Sequence, residues 1–323
     1  MLNKLIQYRP IVPSEMFLSK QSSVFPSIEL QKRLNEVLDL KIYDLLEKRV
    51  ELYFDPSSVY NGVNYEIKHS LKPINKHPWK DDDVEGAVVL YELPHLVDDV
   101  VPHGAYIIGC DPFKANTDGG NSFAAIYVMK TTKYPSVVGH DEIVATYVGR
   151  PYLGMQEVCE ILYKLSMFYG NAKIYFENAV GNIKDYFDKI HRLDLLAAQP
   201  TSVLNRKASY NTGPSVVYGY PMSNDKIKWE ALQYVRSWLL QERETVNDIT
   251  KRNLDLIVDP YLLQQLISFN LDGNFDAVMG FVGCIIGLEE THAKSRTRAV
   301  EEQYNELDKQ FINLIVNNKN IFL

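Results

Sequence analysis

Ile107-Ile108-Gly109-Cys110-Asp111-Pro112 is an apolar run that ends in an acid and a proline. Two more apolar runs follow, Ser122 to Met129 and Val137 to Val148, the second interrupted by Gly139-His140-Asp141-Glu142. Short apolar runs bounded by polar, turn-forming residues predict strands. Val158, Ile161, Leu162, Leu165 and Phe168 then recur at helical spacing, Lys173 to Phe176 is a brief strand pattern, and Ile183, Tyr186, Phe187 and Ile190 mark a further helix. Three hairpin-linked strands, a helical crossover and another strand predict an α/β architecture. Its mixed sheet has three antiparallel strands followed by parallel strands, with helices on both faces.

Toward the C-terminus, Leu232, Val235 and Leu239 predict a helix after Lys226, and Leu262, Leu263, Leu266 and Ile267 predict another after Pro260. Phe275 to Gly287 is apolar almost all round, with Gly280, Gly283 and Gly287 near one helical face. That pattern predicts a buried helix lying very close to a sheet or another helix. Val300, Tyr304, Leu307, Phe311 and Leu314 predict an amphipathic helix in the tail, docked on its own body. Toward the N-terminus, Pro10, Pro13, Pro26, Pro56, Pro73, Pro78 and Pro94 break the pattern into short pieces. This stretch reads as an irregular lead-in with one amphipathic helix through Leu30, Leu34, Val37, Leu38 and Leu45. The expected division is a lead-in over 1–102, an α/β domain over 103–290 and an amphipathic C-terminal helix over 291–323.

The chain of 323 residues is long enough for a substantial core, and 46% hydrophobic with 23% charged residues is ordinary globular composition. Its formal charge of −7 does not advertise a nucleic-acid binder. Cys110, Cys159 and Cys284 lie singly in apolar runs, which predicts reduced core thiols and a reducing, cytosol-like compartment. No run approaches the ~18 apolar residues of a membrane helix, and Met1-Leu2-Asn3-Lys4 opens no signal-peptide hydrophobic region. No Gly-Lys pair occurs, so these residues contain no phosphate-cradling P-loop. The seven histidines show no metal-ligand spacing.

Three acids are candidates for chemistry. Asp111 closes one strand, Glu177 closes another in Ile174-Tyr175-Phe176-Glu177-Asn178, and Asp276 opens the buried helix in Asn274-Phe275-Asp276-Ala277. Each has an ordinary role open to it, as a turn former, a cap or a first-turn acid. Together they fit a ligand site at the carboxyl edge of an open α/β sheet. Oxygen-only ligands suit Mg²⁺ or Mn²⁺ rather than zinc. Phosphodiester hydrolysis by two ions needs a bridging carboxylate, for which Asp111 is the candidate.

Asp111 with Gly119-Gly120-Asn121-Ser122-Phe123-Ala124-Ala125, then Phe176-Glu177-Asn178, then Asn274-Phe275-Asp276-Ala277-Val278-Met279 resembles the nuclease domain of the large terminase subunit of tailed bacteriophages. Arg9-Pro10-Ile11-Val12-Pro13-Ser14-Glu15-Met16-Phe17-Leu18 and Phe25-Pro26 resemble the stretch that joins the ATPase motor to the nuclease in that family. The resemblance implies a ribonuclease H-like fold and a metal-dependent endonuclease that cuts concatemeric double-stranded DNA during genome packaging. It also implies Asp111, Glu177 and Asp276 as catalytic ligands of two Mg²⁺ or Mn²⁺ ions. The implied partners are DNA, the portal protein, the small terminase subunit and the ATPase part of the same protein, in the host cytoplasm and at the procapsid portal. The missing P-loop then fits the C-terminal part of a longer terminase. Two departures stand out: Asn274-Phe275 and Asn121-Ser122 stand where the family often has an acid, which leaves the second metal less securely held, and Asp118 or Asp272 would compensate. For DNA contact the best basic group is Arg206, Lys207, Lys226 and Lys228, with a solvated face as its ordinary reading. Two alternatives stay open, a junction-resolvase-type nuclease of the same fold and a non-catalytic docking module for portal or motor.

Overall fold

The computed structural model describes residues 23–113, 122–131, 140–179, 182–200, 216–222, 225–246 and 249–293. Arg206, Lys207, Asp118 and the tail helix expected through Val300 to Leu314 lie outside the described residues.

At the centre, β4 (Tyr106–Asp111), β5 (Ala124–Lys130) and β6 (Ile143–Gly149) form an antiparallel meander. The helix α3 (Met155–Phe168) crosses from β6 to β7 (Lys173–Phe176), which pairs parallel with β4. The order β6-β5-β4-β7, antiparallel except for the last pair, is the ribonuclease H-like sheet. Each of β4, β5 and β6 is buried throughout, because the sheet is covered on both sides.

The period-2 alternation of a strand sorts β5 between two cores: Ala125, Tyr127 and Met129 face one layer, while Ala124, Ile126 and Val128 face the other. The second layer is built on α3 and α4 (Ile183–Lys189). The first layer contains α1 (Ser27–Asp39), α5 (Asp225–Leu240), α6 (Pro260–Ser268) and α7, the helix over residues 276–293. All three cysteines are buried and free, as reduced core thiols should be. Among the described residues, no helix is long and apolar enough to cross a membrane.

The stretch before residue 103 differs from expectation. Rather than an irregular lead-in, it supplies β1 (Lys48–Phe54), β2 (Val63–Ile67) and β3 (Ala87–Leu90), and β3 pairs with β6 to give one seven-stranded sheet, β2-β1-β3-β6-β5-β4-β7. The expected single helix is two, because Lys41 takes a left-handed conformation between α1 and α2 (Ile42–Leu46), which leaves Leu38 and Leu45 exposed. β8 (Glu242–Val246) and β9 (Ile249–Arg252) form a separate two-stranded pair.

The glycines of α7 behave as their spacing predicts. A Cβ at Gly280 would stand 2.6 Å from the Ala125 carbonyl oxygen, and one at Gly283 would stand 2.8 Å from Gly109 Cα. Helix and sheet therefore meet backbone to backbone, at a separation that only glycine permits.

Candidate active site

The register of the sheet brings the first two acids together. Cys110 pairs with Phe176 in the parallel β4/β7 ladder, so Asp111 and Glu177 leave adjacent strand ends, about 4.8 Å apart in the hydrogen-bonding direction. The Glu177 N–H still donates to the Cys110 carbonyl, at 3.3 Å. The third acid arrives through α7, because Ala125, the cross-strand partner of Asp111, is the residue on which Gly280 rests. Asp276, one turn earlier, is thereby held at the same edge.

All three acids line one cleft of about 390 Å³, together with Pro112, Ser122, Met222, Lys228, Phe269, Gly273, Asn274, Phe275 and Met279. Its aromatic wall is Phe269 and Phe275, with ring centroids 5.1 Å apart, and Phe25 packs on Phe269 at 5.2 Å. A larger cleft of about 480 Å³ opens beside Asn178 and Asn182 but is lined by none of the three acids. The acid-lined cleft is therefore the candidate for chemistry.

Asp276 is 3% exposed, and its carboxylate accepts from the Ser122 hydroxyl at 2.9 Å, the Phe123 N–H at 2.9 Å and the Asn274 amide at 3.2 Å. Burial pushes its carboxyl up to about 6, and those three donors restrain the rise. Asp111 is raised well above the carboxylate range, first by burial, then by the negative charges of Asp276 and Glu177, with which it also shares a hydrogen bond to Glu177. Lys228 acts in the opposite direction. Ser122 and Asn274, both neutral, thus serve as donors that fix the orientation of Asp276.

Of the expected DNA contacts, Lys228 reaches the acid cleft, and Lys226 lies two residues away on the same helix with a 3.9 Å ion pair to Glu230. Asp272 is exposed and does not line the cleft. The donor set is all carboxylate and suits a hard divalent cation. Among the described lining residues the three acids face one ammonium, that of Lys228, and a divalent cation would offset the mutual repulsion that, after burial, raises Asp111. In the arrangement described, no group of three or more His, Cys, Asp or Glu side chains among the described residues is drawn in closely enough to enclose a metal ion.

No protein-family model matches the sequence, and no curated protein matches it. Among solved structures, the chain is similar to the large terminase nuclease from thermophilic phage G20c. With bound zinc that protein is 14% identical over 62% of this chain and 90% of its own, with a TM-score of 0.37. With bound magnesium the values are 14%, 63%, 89% and 0.37.

Proposed function

We propose that this chain is a metal-dependent DNA endonuclease, the nuclease part of a viral genome-packaging terminase. The observation that carries the reading is the convergence of Asp111, Glu177 and Asp276, from two strand ends and a helix start, on one cleft at the carboxyl edge of a ribonuclease H-like sheet. Such an edge is where open α/β sheets place their ligands.

Asp111, Glu177 and Asp276 would hold the ions, with Mg²⁺ or Mn²⁺ as the suited metals. When bound, two such ions supply the positive charge that phosphodiester hydrolysis needs at the attacking and leaving oxygens. The chain's own residues prepare the site. Ser122, Phe123 and Asn274 orient Asp276, Phe269 and Phe275 wall the cleft, and Lys228 offers an ammonium to a DNA phosphate. The substrate is double-stranded DNA, and the portal, the small terminase subunit and the ATPase part of the same protein are the partners in the host cytoplasm.

The test is incubation of the purified chain with supercoiled plasmid in Mn²⁺, Mg²⁺ or EDTA, with Asp111→Ala in parallel. Metal-dependent cutting that the variant lacks is the expected result. Cutting confined to four-way junctions would favour the resolvase reading, and no cutting with any metal would leave the docking module.

A further inference from the structure

One buried amide stands directly beneath the acid site without lining it. Gln265 lies on α6 between Gln264 and Leu266 and is 1% exposed. An unpaired side-chain amide in such a place is costly, so its partners define what it does there. Its Oε1 accepts from the Ala277 N–H at 2.9 Å and from the Val278 N–H at 3.4 Å. Its Nε2 faces His77 Nδ1 at 3.4 Å, and the side chain also hydrogen-bonds Tyr261. The preceding residue, Gln264, anchors the same partner segment by accepting from the His77 N–H at 2.6 Å.

Ala277 and Val278 belong to the first turn of α7, whose first internal hydrogen bond runs from the Met279 N–H to the Phe275 carbonyl at 3.1 Å. The N–H groups before that bond have no partner inside the helix and require an outside acceptor. A short polar side chain at the helix start usually supplies it. Here the residue at that position, whose carbonyl accepts the first bond, is Phe275, which has no side-chain acceptor, and the next residue, Asp276, directs its carboxylate outward to Ser122, Phe123 and Asn274.

We propose that Gln265 is a positioning residue for Asp276: by capping α7 from a neighbouring helix, where Phe275 offers no acceptor, it keeps the first-turn N–H groups from drawing in the Asp276 carboxylate, which stays facing the cleft. The inference rests on the metal-dependent reading of that cleft. Without the glutamine acceptor, two N–H groups at the positive end of α7 would compete for the nearest carboxylate, that of Asp276. The carboxylate would turn toward its own helix and away from Ser122 and Phe123.

The test is Mn²⁺ binding to the full chain by titration calorimetry, without DNA, for the wild type, Gln265→Met, Gln265→Glu and Asp276→Asn, with a thermal melt of each. Loss of an outer partner of a ligand typically weakens metal binding by about 10–100-fold, the loss expected for Gln265→Met. Gln265→Glu, which keeps an acceptor oxygen in place, is expected to recover most of it. If Gln265→Met does not fold, Gln265→Asn replaces it, since it keeps an amide in the cavity but is one methylene too short to cap both N–H groups. Wild-type Mn²⁺ affinity in a folded acceptor-deficient variant, with Asp276→Asn impaired, would overturn the role of Gln265 alone. Equal binding by the wild type and Asp276→Asn would overturn the metal reading of the cleft, and the inference with it.

Discussion

Gly109→Ala would insert one methyl group between β4 and α7, where the sheet and the helix touch. The added Cβ would stand 2.2 Å from the Gly280 carbonyl oxygen and 2.4 Å from the Cys284 nitrogen, whereas ordinary contact begins at 3.4 Å. The helix must therefore lift by about 1 Å, because both obstructing atoms are backbone and no rotamer can turn away. Overpacking of this kind costs about 1–3 kcal/mol, and a backbone obstruction belongs at the upper end. A gap of that size also forfeits part of the dispersion contact along the whole helix. Misplacing a functional group by about 1 Å can cost about 100-fold in rate, so plasmid cleavage should fall by that order although no acid has been changed. Urea unfolding is the stability assay, followed by tryptophan fluorescence, since Trp238 packs on Phe281 of α7 at 5.2 Å and reports on its docking. An unfolding midpoint and a cleavage rate both equal to those of the wild type would refute the close-contact argument.

Other perturbations follow from the same structure. Asp259 is buried, caps α6 through the Tyr261 N–H at 2.9 Å, accepts from the Tyr127 hydroxyl at 2.8 Å, and is pushed up by burial to about 6. Because its folded value lies above the ordinary 3.8, the folded protein holds the extra proton, and stability falls as pH rises between those values, by about 3 kcal/mol in all. Asp259→Asn keeps a good cap and should remove that fall, so its stability relative to the wild type should grow between pH 4 and pH 7 in urea titrations. Asn274→Asp would set a fourth carboxylate against Asp276 in place of a 3.2 Å donor. It should lower the melting temperature in EDTA and reverse sign in Mn²⁺, and a melt insensitive to metal would count against the cation reading. In an Asp111→Asn background, Lys226→Ala and Lys228→Ala should each reduce the salt dependence of DNA binding by about one charge, read from the slope of log affinity against log salt. An unchanged slope would remove these lysines from the DNA path.

The central sheet was legible because its strands are covered on both faces. Such strands read as continuous apolar runs, and Lys173 to Phe176 was placed to the residue. β1 and β2 were not legible, since they lie toward the open edge and carry mixed sequences such as Lys-Arg-Val-Glu-Leu-Tyr-Phe, in which only Val50 and Leu52 are buried and no apolar run marks the strand. Asp111, Glu177 and Asp276 could be picked out because strand ends and helix starts leave a sequence trace. Their donors could not. Ser122 and Asn274 carry no charge to mark them in the sequence, and their hydrogen bonds to Asp276 alone reveal their place in the site. Gln265 left no trace, because its partners are backbone N–H groups in another helix and its own neighbours read as an ordinary apolar face.

The pairing of α1 with α6 carries a consequence for how the chain is made. Leu30, Leu34 and Val37 are buried in the layer that holds α6, Phe25 stacks on Phe269, and Arg33 donates to the Ile257 carbonyl across 224 residues of sequence. At translation rates of about 5–20 residues per second, α1 waits about 10–45 s on the ribosome before its cover is synthesised. During that interval an apolar helical stripe stands exposed to other nascent chains, a natural target for a chaperone that holds unfolded segments. Expression yield should therefore respond to chaperone supply and growth temperature more strongly than the stability of the finished protein would suggest.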